Sequence, residues 1–311
     1  MAETVLFGGS GFLGPIILER YPQIVSIGRT PLPSDLANRH VQLPSLDELA
    51  LLDRLEIDRV IFLIGNSNHH RLNQSPSTVA IDYNVIPLMK ALTYFQRRRL
   101  KKFIAFTGAL MYDAQEVAKP VDETHPINPY RNNYLFSKYL AEETAKLFAA
   151  AVPTITVRLG NIYGPTRLIR PDLVPTLIQS ALSPQETTVW NTSPIRDFIY
   201  AADAAEAIVK LLDTDYTGIL NLGSGTMNSV GSIVKIVERL SGKPIRDLQN
   251  PVSGPMRFCL DISRVNQLTG WRPRHSLEEG LTETFERMRS WADECRWWER
   301  KSADADFLVR R

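Results

Sequence analysis

Glycines at positions 8, 11 and 14 directly follow an apolar run and stand at the start of an amphipathic stretch. The run Thr4–Phe7 predicts a first strand, and the stretch after it predicts a helix. Glycine in such a strand–helix turn lets the backbone bend tightly and approach a diphosphate, which then lies at the helix N-terminus. A second apolar run, Ile24–Ile27, supplies the context that a bare glycine spacing lacks. We therefore expect a dinucleotide cofactor to bind at Gly8, Gly11, Phe12, Leu13 and Gly14.

Short apolar runs alternate with longer amphipathic stretches through the first 165 residues. This alternation predicts βαβ units, in which helices cover both faces of a parallel sheet. We therefore predict an α/β fold with a doubly wound parallel sheet (Rossmann) and a second, smaller mixed α/β domain. The dinucleotide-binding domain is expected at 1–165 and the substrate-binding domain at 166–311, with a return segment, 196–223, packing against the first. Strands are expected at Thr4–Phe7, Ile24–Ile27, His40–Leu43, Arg59–Ile64, Lys102–Phe106 and Thr154–Leu159, and helices at Asn84–Gln96, Asn133–Ala150, Ser229–Ser241 and 276–300.

The charge balance excludes several classes of protein. The 311 residues include 36 Lys and Arg against 34 Asp and Glu, a formal net charge of +2. So small a net charge gives no long-range field with which to attract nucleic acid. The two cysteines, Cys259 and Cys295, match no zinc or redox spacing, so no disulfide scaffold is expected. Because no window approaches roughly 18 uninterrupted apolar residues, we expect no membrane-spanning segment and a cytoplasmic protein.

The second predicted strand ends at Ile27, and Gly28 and Arg29 follow it. At this place an NAD site usually carries an acidic residue for the ribose 2′-hydroxyl, whereas an arginine suits a 2′-phosphate. The guanidinium fork pairs well with phosphate oxygens, and the sequence has no carboxylate nearby. The sequence therefore favours NADP over NAD, with Arg29 as a cofactor-binding residue.

Tyr134 and Lys138 stand four residues apart in a helical pattern. That spacing places both side chains on one face of a helix, about one turn apart. A lysine charge near a phenol favours the phenolate, so we expect Lys138 to lower the pKa of Tyr134. The tyrosine would then exchange a proton with a sugar hydroxyl or carbonyl while a nicotinamide exchanges a hydride.

With these motifs the chain resembles the extended short-chain dehydrogenase/reductases, and within them the NAD(P)-dependent nucleotide-sugar epimerase/dehydratase family. The resemblance runs almost from end to end, in the family's order. That order is specific for the family and only weakly specific for the substrate. The segments that carry it are the glycine-rich turn, Val60–Gly65, Asn84, Tyr134 with Lys138, Arg158–Pro165, Arg196–Tyr200, Asn221–Gly225 and Gly270–Pro273.

The resemblance implies further roles on the cofactor side. Lys138 would also bind the hydroxyls of the nicotinamide ribose, and Asn84 would open the helix that follows it. The implied assembly is a homodimer through the helices around Asn84–Gln96 and Tyr134–Ala150.

The resemblance also implies a binding site for a nucleotide-sugar substrate. Asn161 would contact the substrate, and Arg196 and Arg257 would meet its phosphates. Arg167 and Arg170 lie where the family's substrate loop begins, so either of them could reach a diphosphate.

One position departs from the family's pattern. Members usually carry Ser or Thr four residues before a tyrosine that follows the fifth strand, and that hydroxyl assists the catalytic tyrosine. Counting back from Tyr112, the position is Gly108. Three interpretations remain open: Thr107 substitutes after a local backbone shift, a water molecule fills the gap, or the chemistry is weakened or altered. We expect Thr107 to substitute, as a catalytic residue beside Tyr134 and Lys138.

The adjacent histidines His69 and His70 follow the fourth predicted strand. Neighbouring residues on an extended segment point apart, and no cysteine or carboxylate cluster joins them. We therefore expect substrate contact or a plain loop here, and no metal site.

Three functions fit these observations. The first is NADPH-dependent reduction of a 4-keto nucleotide sugar, in which Tyr134 donates the proton. The second is a nucleotide-sugar 4-epimerase that retains its cofactor, and the third is a catalytically weak NADP-binding regulator, suggested by Gly108. A 4,6-dehydratase is disfavoured, because Ala109 and Leu110 stand where such an enzyme commonly carries Asp-Glu.

Overall fold

The computed structural model of the chain describes residues 3–33, 36, 39–252 and 254–297. Strands and helices alternate along its first half, as the apolar runs predict. In chain order the strands are β1 (Glu3–Phe7), β2 (Val25–Gly28), β3 (His40–Gln42), β4 (Ile57–Phe62), β5 (Lys102–Gly108), β6 (Thr154–Leu159), β7 (Asn161–Tyr163), β8 (Leu168–Ile169), β9 (Thr187–Val189), β10 (Ile195–Arg196), β11 (Phe198–Tyr200), β12 (Gly218–Leu222), β13 (Asn228–Ser229), β14 (Ile245–Asp247) and β15 (Arg296–Trp297). The α-helices are α1 (Leu13–Arg20), α2 (His69–Gln74), α3 (Ser77–Asn84), α4 (Ile86–Phe95), α5 (Asn133–Leu147), α6 (Leu173–Leu182), α7 (Ala201–Leu211), α8 (Val230–Ser241), α9 (Ser263–Thr269) and α10 (Leu277–Ser290), and short 3₁₀ segments lie at Leu46–Arg54, Ala109–Met111 and Pro129–Arg131.

The central sheet has seven strands in the order β3-β2-β1-β4-β5-β6-β12, and every neighbouring pair is parallel. The chain builds outward from β1 to β3 on one side and then from β4 to β6 on the other. This reversal opens a crevice outside the carboxyl ends of the strands, where ligands bind in doubly wound sheets. The predicted doubly wound parallel sheet is therefore confirmed. Its last strand, β12, comes from within the predicted return segment 196–223.

Alternate side chains of the central strands supply two separate apolar cores. On β1, Leu6 packs on the face covered by α1 and α7, whereas Val5 and Phe7 pack on the face covered by α4. All three side chains are fully buried. Burial on both faces explains why the strand reads as a continuous apolar run and not as an alternation.

The later part of the chain forms a mixed α/β layer beside the sheet. Helices α6, α8 and α10 share a third apolar cluster, and the short strand pairs β7–β11, β8–β15, β9–β14 and β10–β13 surround it. Helix α8 ends at Gly242, whose φ of +70° is the left-handed conformation expected at a helix stop. The division into domains at residue 165 stays a prediction. In the part of the chain that the structure describes, no helix is long and apolar enough to cross a membrane.

The last helix is shorter than the predicted 276–300. Helix α10 ends at Ser290, and Arg296–Trp297 extend as β15 beside Leu168–Ile169. The prediction was wrong because backbone groups beyond the helix pair with strand β8. Positions 298–300 lie outside the described residues.

Candidate active site

The glycine-rich turn joins β1 to α1 and owes its shape to two of its glycines. Gly8 has a φ of +91°, a conformation that side-chain-bearing residues rarely adopt. A Cβ at Gly14 would lie 2.5 Å from the carbonyl oxygen of Gly8, so α1 packs this close only with glycine there. The N-cap residue of α1, Phe12, carries no acceptor on its side chain that could cap the helix. The turn therefore presents the positive end of α1, which suits a diphosphate.

A cavity of about 510 Å³ opens at the carboxyl ends of β1, β4, β5 and β6. One wall is the glycine-rich turn, and the opposite wall comes from the mixed α/β layer. The cavity thus lies at the point where the order of the central strands reverses. The predicted site residues that line it are Gly8, Gly11, Phe12, Leu13, Thr107, Tyr134, Lys138, Asn161 and Arg196.

Three predicted site residues lie away from the lining of this cavity. Gly14 packs behind the turn, against Gly8. Arg29 is half-buried at the end of β2, where its carbonyl oxygen accepts a hydrogen bond from Gln42 at 3.2 Å. Arg257 is exposed, and the structure does not bring it into the cavity wall.

Tyr134 and Lys138 both project from the first turns of α5. The helix begins after Asn132, whose side chain accepts a hydrogen bond from the backbone N–H of Leu135. Tyr134 is 7% exposed and Lys138 is 8% exposed. The Lys138 ammonium nitrogen lies 5.7 Å from the centre of the Tyr134 ring. The four-residue spacing therefore brings the pair together as predicted.

Asn84 holds Lys138 from the neighbouring helix α3. Its side-chain oxygen accepts from Lys138 Nζ at 3.2 Å and from the backbone N–H of Asn66 at 2.8 Å, and its amide donates to Ser137 Oγ at 3.0 Å. The expectation that Asn84 opens a helix was wrong, because it is the last residue of α3 and α4 begins two residues later. Pro87 in the first turn of α4 explains the break, since proline lacks the N–H that a continuous helix needs.

Burial governs the protonation of the tyrosine–lysine pair. It lowers the pKa of Lys138 to about 8. It raises the pKa of Tyr134 above its ordinary value; the Asp172 carboxylate adds to this rise and Arg170 opposes it. The expectation that Lys138 lowers the pKa of Tyr134 was therefore wrong for this structure, because desolvation disfavours the phenolate. A tyrosine that keeps its proton at neutral pH is suited to donating it.

The backbone position of Gly108 lies beside the tyrosine. A Cβ at position 108 would be 3.5 Å from the Tyr134 hydroxyl oxygen. Successive side chains of a strand point to opposite faces, and Thr107 Oγ1 lies 3.5 Å from the carbonyl oxygen of Val157 on β6. Thr107 lines the cavity, but this geometry disfavours its hydroxyl as the substitute.

Helix α2, which follows β4, and the loop after β8 add polar side chains to the site. His69, His70, Arg170 and Asp172 all line the cavity. The His69 ring lies 4.1 Å from the His70 ring and 6.0 Å from the Tyr134 ring, centre to centre. Burial and the neighbouring His70 lower the pKa of His69, which favours its neutral form. The sequence places both histidines after the fourth predicted strand and Arg170 where the family's substrate loop begins, but spacing alone does not say which way their side chains point.

The opposite wall of the cavity carries Asn161 and Arg196. Asn161 lies on β7, which pairs with β11, and Arg196 lies on β10. Asn161 donates to the carbonyl oxygen of Asp197 at 3.2 Å. Asp197 is fully buried and accepts backbone N–H groups of Ser224 at 2.6 Å and Leu260 at 3.2 Å. Burial lowers the pKa of Arg196 to about 10, so its guanidinium stays positive at neutral pH. Asp197 thus fixes the backbone next to Arg196, whose cationic side chain lines the cavity.

Comparisons with known proteins give this arrangement a family. A family model described as the NAD dependent epimerase/dehydratase family matches residues 4–223. A Methanocaldococcus jannaschii protein named "Putative UDP-glucose 4-epimerase" is 27% identical over 305 residues, which span 91% of this chain and 97% of the relative. The dTDP-4-dehydro-6-deoxy-D-allose reductase of a Streptomyces species is 26% identical over 311 residues, 91% of this chain and 95% of the relative.

A solved structure shows the same fold. The UDP-glucose-4-epimerase of Stenotrophomonas maltophila, with bound NAD and a formylated UDP-arabinopyranose, superposes with a TM-score of 0.83. It is 21% identical, and the match covers 94% of this chain and 99% of that one. The family match extends over more than half of the chain and includes both the glycine-rich turn and the Tyr134–Lys138 pair. The protein is therefore an enzyme of the NAD-dependent epimerase/dehydratase family, in the extended short-chain dehydrogenase/reductases.

Proposed function

We propose that this enzyme reduces the 4-keto group of a nucleotide sugar with NADPH, and that Tyr134 donates the proton. The observation that carries the proposal is the location of Tyr134, which is buried in the cavity that the glycine-rich turn also lines. The Streptomyces relative, named as a reductase of a 4-dehydro nucleotide sugar, supports this direction of reaction.

The residues around the cavity fit a dinucleotide cofactor. Gly8, Gly11 and Gly14 allow the backbone to approach closely, and α1 offers N–H groups and partial positive charge to a diphosphate. Lys138 lines the same cavity and would bind the ribose beside the nicotinamide. When bound, the reduced nicotinamide supplies a hydride to the substrate's carbonyl carbon.

Tyr134 and Lys138 carry out the proton transfer. Tyr134 donates its phenolic proton to the carbonyl oxygen as that oxygen gains negative charge, so that an O–H bond forms as the new C–H bond forms. The Lys138 ammonium stabilises the phenolate that remains, and its pKa of about 8 suits it to return a proton. Asn84 is a positioning residue, because it holds Lys138 through the 3.2 Å hydrogen bond.

Thr107 remains a predicted catalytic residue with unfavourable geometry. Of the three interpretations of Gly108, we favour a water molecule beside Tyr134 as the replacement for the family's hydroxyl. The Cβ position of Gly108 marks where a hydroxyl-bearing side chain would begin.

NADP is the proposed form of the cofactor. Arg29 follows β2, where a guanidinium suits a ribose 2′-phosphate. The Stenotrophomonas structure contains NAD, and binding measurements distinguish the two cofactors. We expect wild-type protein to bind NADPH more tightly than NADH, and Arg29→Ala to remove most of that preference. Equal affinities of the wild type for the two cofactors would contradict the assignment.

Asn161 and Arg196 are the proposed ligands of the nucleotide sugar. Arg196 supplies a positive charge to the substrate's diphosphate, and Asn161 supplies hydrogen bonds. Arg257 stays a third candidate, although it is exposed and lies away from the cavity lining.

Two alternatives follow from specific observations. The Methanocaldococcus relative favours a 4-epimerase, in which the same pair removes and returns a proton while the cofactor is retained. Gly108 favours the third reading, a catalytically weak NADP-binding regulator.

One panel of assays separates the three functions. Purified protein is mixed with NADPH and with nucleotide sugars or their 4-keto derivatives, and both the cofactor and the sugar are followed. Loss of NADPH equal to the amount of sugar reduced supports the reductase, and sugar interconversion without loss of NADPH supports the epimerase. Tight binding of NADP without turnover of any substrate supports the regulator and contradicts the proposal.

We also propose a homodimer through α4 and α5. Met89 on α4 is 37% exposed and Leu147 on α5 is 74% exposed, and Tyr130, just before α5, is 73% exposed. Large apolar side chains on neighbouring helices suit a contact between two copies. Sedimentation equilibrium tests this, and a monomer at micromolar concentration would contradict it.

A further inference from the structure

Arg170 reaches from the substrate loop to the glycine-rich turn. It follows β8, in the segment that leads to α6, and its guanidinium carbon lies 4.1 Å from the centre of the Phe12 ring. Phe12 is the N-cap residue of α1, at the place where the turn meets the helix. Arg170 and Phe12 both line the cavity. The mixed α/β layer thus contributes a cation to the cofactor side of the cleft.

One ion pair and one long hydrogen bond leave part of the Arg170 guanidinium unused. One terminal nitrogen pairs with Asp172 at 2.7 Å, and the other lies 3.4 Å from Ser67 Oγ in the loop after β4. The Nε atom is buried and has no hydrogen-bond partner among the residues that the structure describes. The side chain as a whole is 14% exposed. A buried donor of this kind is costly unless a further acceptor is supplied.

The surroundings of Arg170 identify the chemistry of that acceptor. The guanidinium fork matches the oxygens of a phosphate, and the N-terminus of α1 beside Phe12 also favours an anion. Arg167, in the same loop, differs in direction, since it pairs with Glu294 at 2.8 Å and stacks on Trp291 at 4.1 Å. Arg170 therefore lies on the cofactor side of the cleft, whereas Arg167 packs against the end of the last helix.

We propose that Arg170 binds the diphosphate of the dinucleotide cofactor, so that cofactor binding ties the substrate loop to the glycine-rich turn. This assignment rests on the proposed function in one respect, that the cavity holds a dinucleotide. In the cofactor complex Asp172 competes with the diphosphate for Arg170. Removing the charge of Asp172 therefore frees the arginine, whereas removing Arg170 leaves the diphosphate with the backbone N–H groups of the turn.

The test is a fluorescence titration of the full-length protein with NADPH. We expect Arg170→Ala to weaken NADPH binding by about 10- to 100-fold, the range for a hydrogen bond between charged groups. Arg170→Lys should give an intermediate loss, because lysine keeps the charge without the fork. Asp172→Asn should tighten binding several-fold. Arg167→Ala, which removes the same charge from the same loop, should leave the affinity within about twofold of wild type.

A second titration, with UDP and dTDP alone, distinguishes the cofactor from the substrate as the source of the diphosphate. We expect Arg170→Ala to leave these affinities unchanged. If Arg170→Ala weakens the binding of UDP or dTDP but not of NADPH, Arg170 binds the substrate's diphosphate and the proposal is overturned. Both Arg170 variants could instead bind NADPH as tightly as wild type, or more tightly, and have a lower melting temperature. That result would show that the Arg170–Asp172 ion pair is purely structural, and it would also overturn the proposal.

The same data separate this inference from the proposed function. If wild-type protein binds NADPH but does not reduce a 4-keto sugar, the reductase proposal fails while the Arg170 comparison still decides the assignment. If wild-type protein binds no NADPH and no NADH, both fail together.

Discussion

The Cβ position of Gly108 lies 3.5 Å from the hydroxyl oxygen of Tyr134. That distance is an ordinary van der Waals contact, and the backbone of Gly108, with φ −144° and ψ 141°, is extended in a way that any residue can adopt. Neither the local fold nor the available space therefore requires glycine there. The chain omits a side chain beside its proposed proton donor although the structure would accept one.

Gly108→Ser should restore a hydroxyl beside the tyrosine and raise kcat. A serine Oγ reaches hydrogen-bond distance of the Tyr134 hydroxyl from this Cβ position, and a positioned hydrogen bond to the reacting group typically contributes tenfold or more. Gly108→Ala is the matched control, since it adds the Cβ without the hydroxyl. Steady-state kinetics on the substrate found in the panel measure both variants. Equal rates for the serine and alanine variants would show that the hydroxyl is not what this site lacks.

Tyr134→Phe should remove turnover and keep cofactor binding. The change deletes only the phenolic hydroxyl, so we expect kcat to fall by about 10²- to 10⁴-fold, the usual contribution of a positioned acid. NADPH affinity should stay within a few-fold of wild type, because Tyr134 donates to the substrate and not to the cofactor. Substantial turnover by this variant would remove Tyr134 from the mechanism.

Lys138→Met should stabilise the protein at neutral pH while it abolishes activity. Burial lowers the pKa of Lys138 from 10.5 to about 8, so below pH 8 the folded protein holds a charge that prefers water. The free energy of unfolding of the variant should exceed that of wild type by roughly 3 kcal/mol at pH 7. Asn84 keeps the backbone N–H of Asn66 as a hydrogen-bond donor at 2.8 Å in the variant.

The pH dependence of this difference has a defined sign. Between pH 8 and pH 10.5 the unfolded chain binds a proton at Lys138 that the folded protein has released, so wild-type stability rises with pH relative to the variant. The advantage of Lys138→Met should therefore shrink across that window. Urea denaturation at several pH values measures it. A variant that is less stable than wild type at pH 7 would show that the ammonium is stabilised in place.

Glu142→Gln should destabilise the fold strongly. Glu142 on α5 is fully buried and binds Arg158 on β6 through two hydrogen bonds, at 2.7 and 3.0 Å. Losing the carboxylate charge leaves the Arg158 guanidinium buried without its counter-ion, which costs about 3–5 kcal/mol. Glu143→Gln is the control, because Glu143 is 41% exposed and pairs with Lys146 on the surface. That change should cost less than about 1 kcal/mol, and equal losses for the two variants would contradict the assignment.

The sequence predicts the central sheet well because each strand is buried on both faces. The apolar runs from Thr4 to Leu159 mark six of its strands within a few residues, and the glycine-rich turn marks the switch point. It predicts helix ends less well, since they depend on tertiary partners. Pro87 divides the predicted helix 84–96 from Asn84, and Arg296–Trp297 pair with β8 in place of continuing α10.

In the candidate site, too, local spacing is predicted well, and features that depend on tertiary partners are not. The spacing of Tyr134 and Lys138 places them correctly because one helix holds both residues. Their pKa values could not be predicted from spacing, since burial by the rest of the fold raises that of Tyr134 and lowers that of Lys138. Arg170 lies in the loop after β8 and His69 at the start of α2, and only the three-dimensional arrangement shows that they meet Phe12 and Tyr134 in the cavity.

Isotope transfer tests the central claim most directly. The protein is incubated with NADPH that carries deuterium at both hydrogen positions of C4 of the nicotinamide, together with a 4-keto nucleotide sugar. We predict that deuterium appears at C4 of the released sugar, one atom for each NADPH oxidised, and that Tyr134→Phe prevents the transfer. A product without deuterium, formed while NADPH is not consumed, would contradict the reductase and favour the epimerase with its retained cofactor.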